Sequence, residues 1–135
     1  MYKHVLIPVS FEEDRDARGA IEIAQTLADE NTKITLLHVI EQIPAHVMSF
    51  MPDGFANDRK ETIKFDLSVM AQKIPNAEAK VVLGHSSRGI LDWAAANNPD
   101  CIVIASHKPE MQDLLLGSTA AKVVRHAKCA VHVLR

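Results

Sequence analysis

Gly117, Ser118 and Thr119 stand directly in front of a helical pattern near the end of the chain. A helix N-terminus exposes backbone N–H groups and about half a positive charge, which together attract an anion such as a phosphate. A glycine lets the backbone approach that anion closely, and the two hydroxyls add hydrogen-bond donors. The simpler alternative is that Ser118 only caps the helix. The triplet therefore predicts either a helix cap or an anion site.

Other combinations of reactive residues in the sequence are poorly placed for chemistry. The seven histidines are scattered, and no pair has the i, i+4 or clustered Cys/His spacing of a zinc site, so we expect no metal. The serines of GHSSRG, residues 84–89, lack the Gly-x-Ser-x-Gly turn that positions a hydrolase nucleophile. We therefore expect no catalytic residue, and a binding protein rather than an enzyme.

The composition is that of an ordinary globular domain. A chain of 135 residues with 47% hydrophobic side chains suffices for one core, so we expect a single domain over 1–135. A net charge of -2 gives no reason to expect nucleic acid as a partner, and no apolar run approaches the roughly 18 residues that span a bilayer. Cys101 and Cys129 lie in apolar runs typical of buried thiols, and the sequence shows no secretory signal. The cytoplasm is therefore the expected location.

Apolar runs alternate with helical patterns along the whole chain. The runs are rich in Val and Ile and predict strands covered on both faces; they span 4–9, 34–40, 79–84, 101–106 and 130–134. Between them, apolar residues recur at helical spacing over 17–27, 63–74, 90–95 and 120–127. Ser86 or Ser87 is the expected N-cap of the third helix, and Ser118 that of the fourth. This alternation predicts a parallel sheet with helices on both faces.

Ligands of such open sheets bind outside the carboxyl ends of the strands. The residues at those ends are Pro8, Val9 and Ser10 after the first strand, Val39 and Ile40 after the second, and Ala105, Ser106, His107 and Lys108 after the fourth. The turn at Gly117 is placed to close over them, and His107 and Lys108 would add cationic contacts. The connection 41–55 has no clear period, which favours either a functional lid or interface, or a loop packed on its own sheet.

Four stretches of the sequence together resemble the universal stress protein family: VLIPVS, LLHV, IASHKP and LLLGSTAAKVVRHAKCAVHVLR. The resemblance implies an α/β fold of the adenine nucleotide alpha hydrolase-like type, with a five-stranded parallel sheet in the order 3-2-1-4-5. It also implies a cytoplasmic homodimer formed through the C-terminal edge strand. In one branch of the family, ATP or AMP lies between strands one and four.

The nucleotide-binding branch carries the pattern Gly-x2-Gly-x9-Gly-Ser/Thr, of which this sequence keeps only the last element, Gly117-Ser118. Ala105 and Lys108 stand at the first two glycine positions, and the spacing to Gly117 is one residue shorter. The loop is similar to a variant subgroup with Ala-Ser-His-Arg/Lys-Pro, which we expect to bind nucleotide. Ser10 stands where nucleotide-binding members usually place an aspartate near the ribose.

By the same resemblance, Val39 offers backbone contacts to adenine, Pro8, Val9 and Ile104 form the walls, and Ser10 and Ala105 lie near the ribose. The complete expected site is Pro8, Val9, Ser10, Val39, Ile104, Ala105, Ser106, His107, Lys108, Gly117, Ser118 and Thr119. We expect a stress-response module that binds ATP or AMP, with Mg²⁺ left open, and acts through protein partners that the sequence does not name. Slow ATP hydrolysis is compatible with this role. The altered loop and Ser10 favour the alternative, a structural or interaction member of the family without nucleotide.

Overall fold

A parallel sheet forms the centre of the computed structural model, which describes residues 1–11, 17–106 and 116–135. Its strands in these ranges are β1 (His4–Pro8), β2 (Lys33–Ile40), β3 (Ala77–Leu83), β4 (Cys101–Ala105) and β5 (Ala130–Leu134). They pair in the order β3-β2-β1-β4-β5. All four pairings are parallel. The structure confirms the α/β fold and the strand order expected from the sequence.

Helices cover both faces of this sheet. The helices of the described ranges are α1 (Arg18–Thr26), α2 (Ala45–Met48), α3 (Phe55–Gln72), α4 (Ser86–Asn97) and α5 (Ser118–His126). Buried residues of α1 and α3 pack with one face of the sheet, and buried residues of α4 and α5 pack with the other. The strands lie between two apolar layers, as a parallel sheet joined by helical crossovers requires.

Alternation along β1 shows why the apolar runs have no simple period. Val5 and Ile7 pack against the layer of α1 and α3, whereas Leu6 packs against the layer of α4 and α5, and all three are fully buried. Successive side chains of a strand point to opposite faces, so a strand covered on both sides is apolar at nearly every position.

The starts of α4 and α5 correct the predicted caps. The N-caps are His85 and Gly117, with extended backbones (φ -90°, ψ 143° and φ -57°, ψ 152°), and neither helix has a side-chain cap hydrogen bond. Ser86 and Ser118 are instead the first helical residues. A cap must have a non-helical backbone for its side chain to reach back to the first-turn N–H groups, so neither serine satisfies them.

The connection after β2 contains more helix than its sequence predicts. Residues 45–48 form the short helix α2, and α3 begins at Phe55, well before the apolar stripe that starts at Ile63. The first turns of α3 are mostly exposed and therefore show no apolar period. The prediction of a lid or interface for 41–55 is not tested by these elements.

Candidate functional site

A cavity of about 570 Å³ opens at the carboxyl ends of β1, β2 and β4. Cavities that hold small molecules usually have volumes of about 300 to 1,000 Å³. The strand order reverses on the two sides of β1, because the chain runs from β1 to β2 on one side and reaches β4 on the other. Such a reversal leaves a crevice between the crossover connections, which is where open α/β sheets bind their ligands.

Pro8 lies where β1 and β4 separate. The pairing of β1 with β4 covers Val5 and Leu6, whereas the pairing of β1 with β2 continues through Pro8, and the Val9 N–H then donates to the Leu37 carbonyl at 2.8 Å. Successive backbone N–H groups of a strand point to opposite sides. The missing N–H of Pro8 is therefore on the side of β4, so no hydrogen bond from this position can hold the two strands together.

Ser106 joins the end of β4 to the start of α5. Its N–H donates to the Leu134 carbonyl at 2.7 Å, and its carbonyl accepts a hydrogen bond of 2.6 Å from the Gly117 N–H. This second bond fixes the α5 N-terminus beside the cavity. It also occupies the Gly117 N–H, so the backbone donors left for an anion begin at Ser118. Gly117 is buried and has a negative φ, so its small size matters at this position and its conformational freedom does not.

The N-terminus of α4 meets that of α5 at the same cavity. The hydroxyls of Ser86 and Thr119 lie 3.1 Å apart, within hydrogen-bonding distance, and both residues line the cavity. Gly89 lets α4 approach β2 closely, because a Cβ at this position would stand 2.8 Å from Cγ1 of Val39. Two helix N-termini thus border one cavity, and each contributes uncapped backbone N–H groups and a partial positive charge.

The sequence profile described as the Universal stress protein family matches residues 1–135. This chain belongs to the universal stress protein family. It is 30% identical over 145 residues to universal stress protein G of Salmonella typhimurium, and the match covers 100% of both chains. It also resembles the solved structure of universal stress protein UspA from Lactobacillus plantarum, with a TM-score of 0.72, 27% identity and coverage of 99% and 98% of the two chains.

Two solved structures of the family were determined as nucleotide complexes. One is a universal stress protein from Archaeoglobus fulgidus in complex with dAMP (TM-score 0.67, 19% identity, coverage of 99% of this chain and 98% of that one). The other is a universal stress protein in complex with cAMP (TM-score 0.63, 21% identity, coverage of 99% and 97%). At these identities, the likeness of this chain to the two structures shows the shared fold alone.

Most of the predicted site residues lie together in the structure. Those that line the cavity are Pro8, Val9, Ser10, Val39, Ile104, Ala105, Ser106, Gly117 and Thr119. Ser118 is exposed and does not line it, because the first turn of α5 directs its side chain outward. His107 and Lys108 lie outside the described residues. Whether any of these residues touches a ligand stays a prediction.

Several cavity residues were not predicted, and they come mostly from β2, α3, α4 and the start of α1. They include Ala17, His38, Arg59, Thr62, Ser86 and Ile90. His38 carried a signal that could have been used, since it is a polar residue within the apolar run of β2. Arg59 carried none, because it is one of many charged residues on an exposed stretch of α3 and only the packing of that helix brings it to the cavity.

His38 is held in a defined state beside the cavity. Its Nδ1 lies 2.7 Å from the Val9 carbonyl oxygen, and its ring contacts Phe11 edge to face, with 5.1 Å between ring centroids. Burial lowers the pKa of His38 and the charge of Arg59 lowers it further, whereas the bond to Val9 opposes the shift. The neutral imidazole is therefore the favoured form near neutral pH.

The described ranges, 1–11, 17–106 and 116–135, contain no group of three or more His, Cys, Asp or Glu residues arranged to hold a metal ion. None of the helices in these ranges is both long and apolar enough to cross a membrane.

Proposed function

We propose that this universal stress protein binds an adenine nucleotide, ATP or AMP, in the cavity between β1 and β4. The observation that carries the proposal is the position of the α5 N-terminus, which the bond from Gly117 to Ser106 fixes at the cavity edge. Relatives of the same fold were solved with dAMP and with cAMP, which supports a ligand of this class.

The two ends of the cavity suit different parts of a nucleotide. Val9 and Ile104 are buried apolar residues that line it and would pack against a base. The uncapped N-termini of α4 and α5 would hold phosphate through backbone N–H groups. The cavity volume of about 570 Å³ lies within the range for nucleotide-sized ligands. In this proposal Mg²⁺ is not required, since the helix N-termini supply the positive potential.

We propose further that the nucleotide acts as a signal and not as a substrate. The protein would serve the stress response in the cytoplasm, with occupancy of the cavity changing how it binds partner proteins. A second copy is one such partner. β5 is an edge strand that pairs with β4 alone among the described residues, so its outward backbone groups are open to a second β5.

Ligand content gives the first test of the proposal. Mass spectrometry of small molecules released from freshly purified, denatured protein should detect ATP or AMP. Isothermal titration with ATP and AMP should then show saturable binding at one site per chain. If the protein carries no nucleotide and binds neither ATP nor AMP, the role of a structural or interaction member without nucleotide replaces this proposal.

A bulky residue at position 117 gives the second test. The backbone of Gly117 (φ -57°, ψ 152°) is open to any residue, so Gly117→Val adds volume at the cavity edge without backbone strain. We expect ATP affinity to fall at least tenfold. Ala95→Val, on the exposed side of α4 away from the cavity, is the matched control and should bind as the wild type does. Equal ATP binding by Gly117→Val and the wild type would place the phosphate elsewhere.

A further inference from the structure

The hydrogen bond from His38 to Val9 fixes which ring nitrogen carries the proton. The partner of Nδ1 is the Val9 carbonyl oxygen at 2.7 Å, and a carbonyl can only accept a hydrogen bond. Nδ1 must therefore carry the hydrogen. In the neutral imidazole that burial favours, Nε2 then has a bare lone pair and is an acceptor.

Nε2 has no hydrogen-bond partner among the residues of the described ranges, although the ring is half-buried and lines the cavity. The charged residues that line the cavity with it in these ranges are Arg59 of α3 and Glu41 after β2. Of these, Arg59 acts on His38 and disfavours its protonation. A partly buried acceptor without a partner loses hydrogen-bonding energy that a ligand donor can restore.

Because His38 Nε2 is an acceptor and not a donor, it can contact only certain parts of a ligand. A bare imidazole nitrogen repels the oxygens of a phosphate, which are themselves acceptors. It accepts a hydrogen bond from an N–H or O–H donor. The α5 N-terminus has the opposite preference, because it offers N–H donors and positive potential.

We infer that His38 Nε2 accepts a hydrogen bond from the nucleoside part of the ligand, either from the exocyclic amine of the base or from a ribose hydroxyl. This inference rests on the proposed function. It orients the ligand, with the nucleoside near β2 and α3 and the phosphates near α5. His38 is thus a specificity-determining residue of the site.

Two substitutions separate the acceptor from the bond to Val9. In His38→Asn, the amide nitrogen lies near the position of Nδ1 and can still donate to Val9, but no atom replaces Nε2. In His38→Gln, the amide oxygen reaches the position of Nε2, and the bond to Val9 is lost. We expect adenosine affinity to fall about tenfold in His38→Asn and to stay within about threefold of wild type in His38→Gln.

The same titrations identify the donor on the ligand. Purine riboside lacks the exocyclic amine, and 2′-deoxyadenosine and 3′-deoxyadenosine each lack one hydroxyl. The analogue that lacks the donor should bind more weakly than adenosine to the wild type, and this difference should disappear in His38→Asn. A double-mutant cycle of this kind measures the coupling between the two groups.

The pH dependence of adenosine binding tests directly whether Nε2 acts as an acceptor. Adenosine is the suitable ligand because it has no phosphate that titrates in the same range as His38. Affinity for the wild type should fall as the pH falls from about 7.5 to about 5.5, since protonation converts Nε2 from an acceptor into a donor. His38→Gln should show no such fall. In long-range ¹H–¹⁵N NMR spectra, adenosine should shift the Nε2 resonance of His38 more than that of Nδ1.

Each other outcome overturns the inference. Weaker binding by His38→Gln alone would mean that His38 acts only by holding β1, and unchanged binding by both variants would mean that it meets no ligand group. If both variants bind weakly, a wild-type affinity that is flat or rises toward low pH overturns it. Failure of the wild type to bind adenosine, AMP and ATP overturns the proposed function as well. Nucleotide binding that is unchanged by both His38 substitutions overturns the inference alone.

Discussion

The side chains of Ser86 and Thr119 meet at a distance of 3.1 Å between their hydroxyl oxygens, and this contact joins the first turns of α4 and α5. The two residues are 33 positions apart in the sequence, and β4 lies between their helices along the chain. The contact brings two helix N-termini to one side of the cavity. Their partial positive charges therefore add at the place where we propose that a phosphate binds.

Removal of this contact should loosen both helix starts. Thr119→Val keeps the shape of the side chain and removes the hydroxyl, and we expect a loss of about 1 kcal/mol in the free energy of unfolding. ATP affinity should fall severalfold, because the donors of the two helices are no longer held together. Urea unfolding and calorimetric titration measure the two effects. Ser86→Ala combined with Thr119→Val should cost less than the two single changes added, and strictly additive costs would show that the hydroxyls do not interact.

Close contact between Gly89 and Val39 makes an alanine at position 89 unfavourable. Replacement of a helical glycine by alanine ordinarily stabilises a helix by up to about 1 kcal/mol. Here the new Cβ would stand 2.8 Å from one Val39 methyl and 2.9 Å from the other, so α4 or Val39 must move. Overpacking of this kind costs about 1 to 3 kcal/mol, and we expect Gly89→Ala to unfold at a lower urea concentration than wild type.

The double variant Gly89→Ala, Val39→Ala is the control for this prediction. It removes the two methyls that the new Cβ would meet, so it should be more stable than the Val39→Ala single variant. A Gly89→Ala protein that is as stable as the wild type or more so would show that α4 does not pack on Val39 as closely as the structure indicates.

Stability should decrease as the pH falls below about 6.5, the ordinary pKa of histidine. Burial lowers the pKa of His4, with Lys33 adding to the effect, and burial also lowers the pKa of His38. In the window between the lowered and the ordinary pKa, the unfolded chain binds more protons than the folded one. The stabilisation is therefore complete above about pH 6.5 and is lost progressively below it.

Urea unfolding at a series of pH values measures this decrease. His4→Gln is the variant of choice, because an amide nitrogen can still donate to the Thr35 hydroxyl, which lies 2.8 Å from Nε2 of His4. The double variant His4→Gln, His38→Gln should have a free energy of unfolding that changes little between about pH 7 and pH 5. Below this range Asp100 contributes in the same direction: burial opposes its ionisation, but hydrogen bonds from the Lys3 and His4 N–H groups outweigh burial and lower its pKa.

The proposed dimer through β5 depends on backbone groups that face away from β4. The Leu134 carbonyl points toward β4, where it accepts from Ser106, so by alternation the Val131 N–H points outward. Val131→Pro removes this N–H and should shift the protein from dimer to monomer in sedimentation velocity at micromolar concentration. Val131→Ala loses side-chain volume but keeps the N–H, and it should stay dimeric. A wild type that sediments as a monomer contradicts the proposal.

The sequence predicted the sheet well because the signal for a buried parallel strand is local. Runs such as 34–40 are apolar at most positions on both faces, and β2 was misplaced by a single residue at its start. The helix starts were predicted less well. Ser86 and Ser118 are typical cap residues, but His85 and Gly117 carry the extended backbone, which depends on how each helix leaves its strand.

The sequence by itself determined the residues at the ends of β1, β2 and β4, because strand ends can be read from the pattern and the ends of parallel strands meet at one edge. Tertiary structure alone decided that Arg59 and His38 share the cavity, that the Gly117 N–H is bonded to Ser106, and that Ser86 meets Thr119. Each of these relationships joins residues from different elements. Their distances follow from how the helices pack across the sheet, and no periodicity within a single segment records that packing.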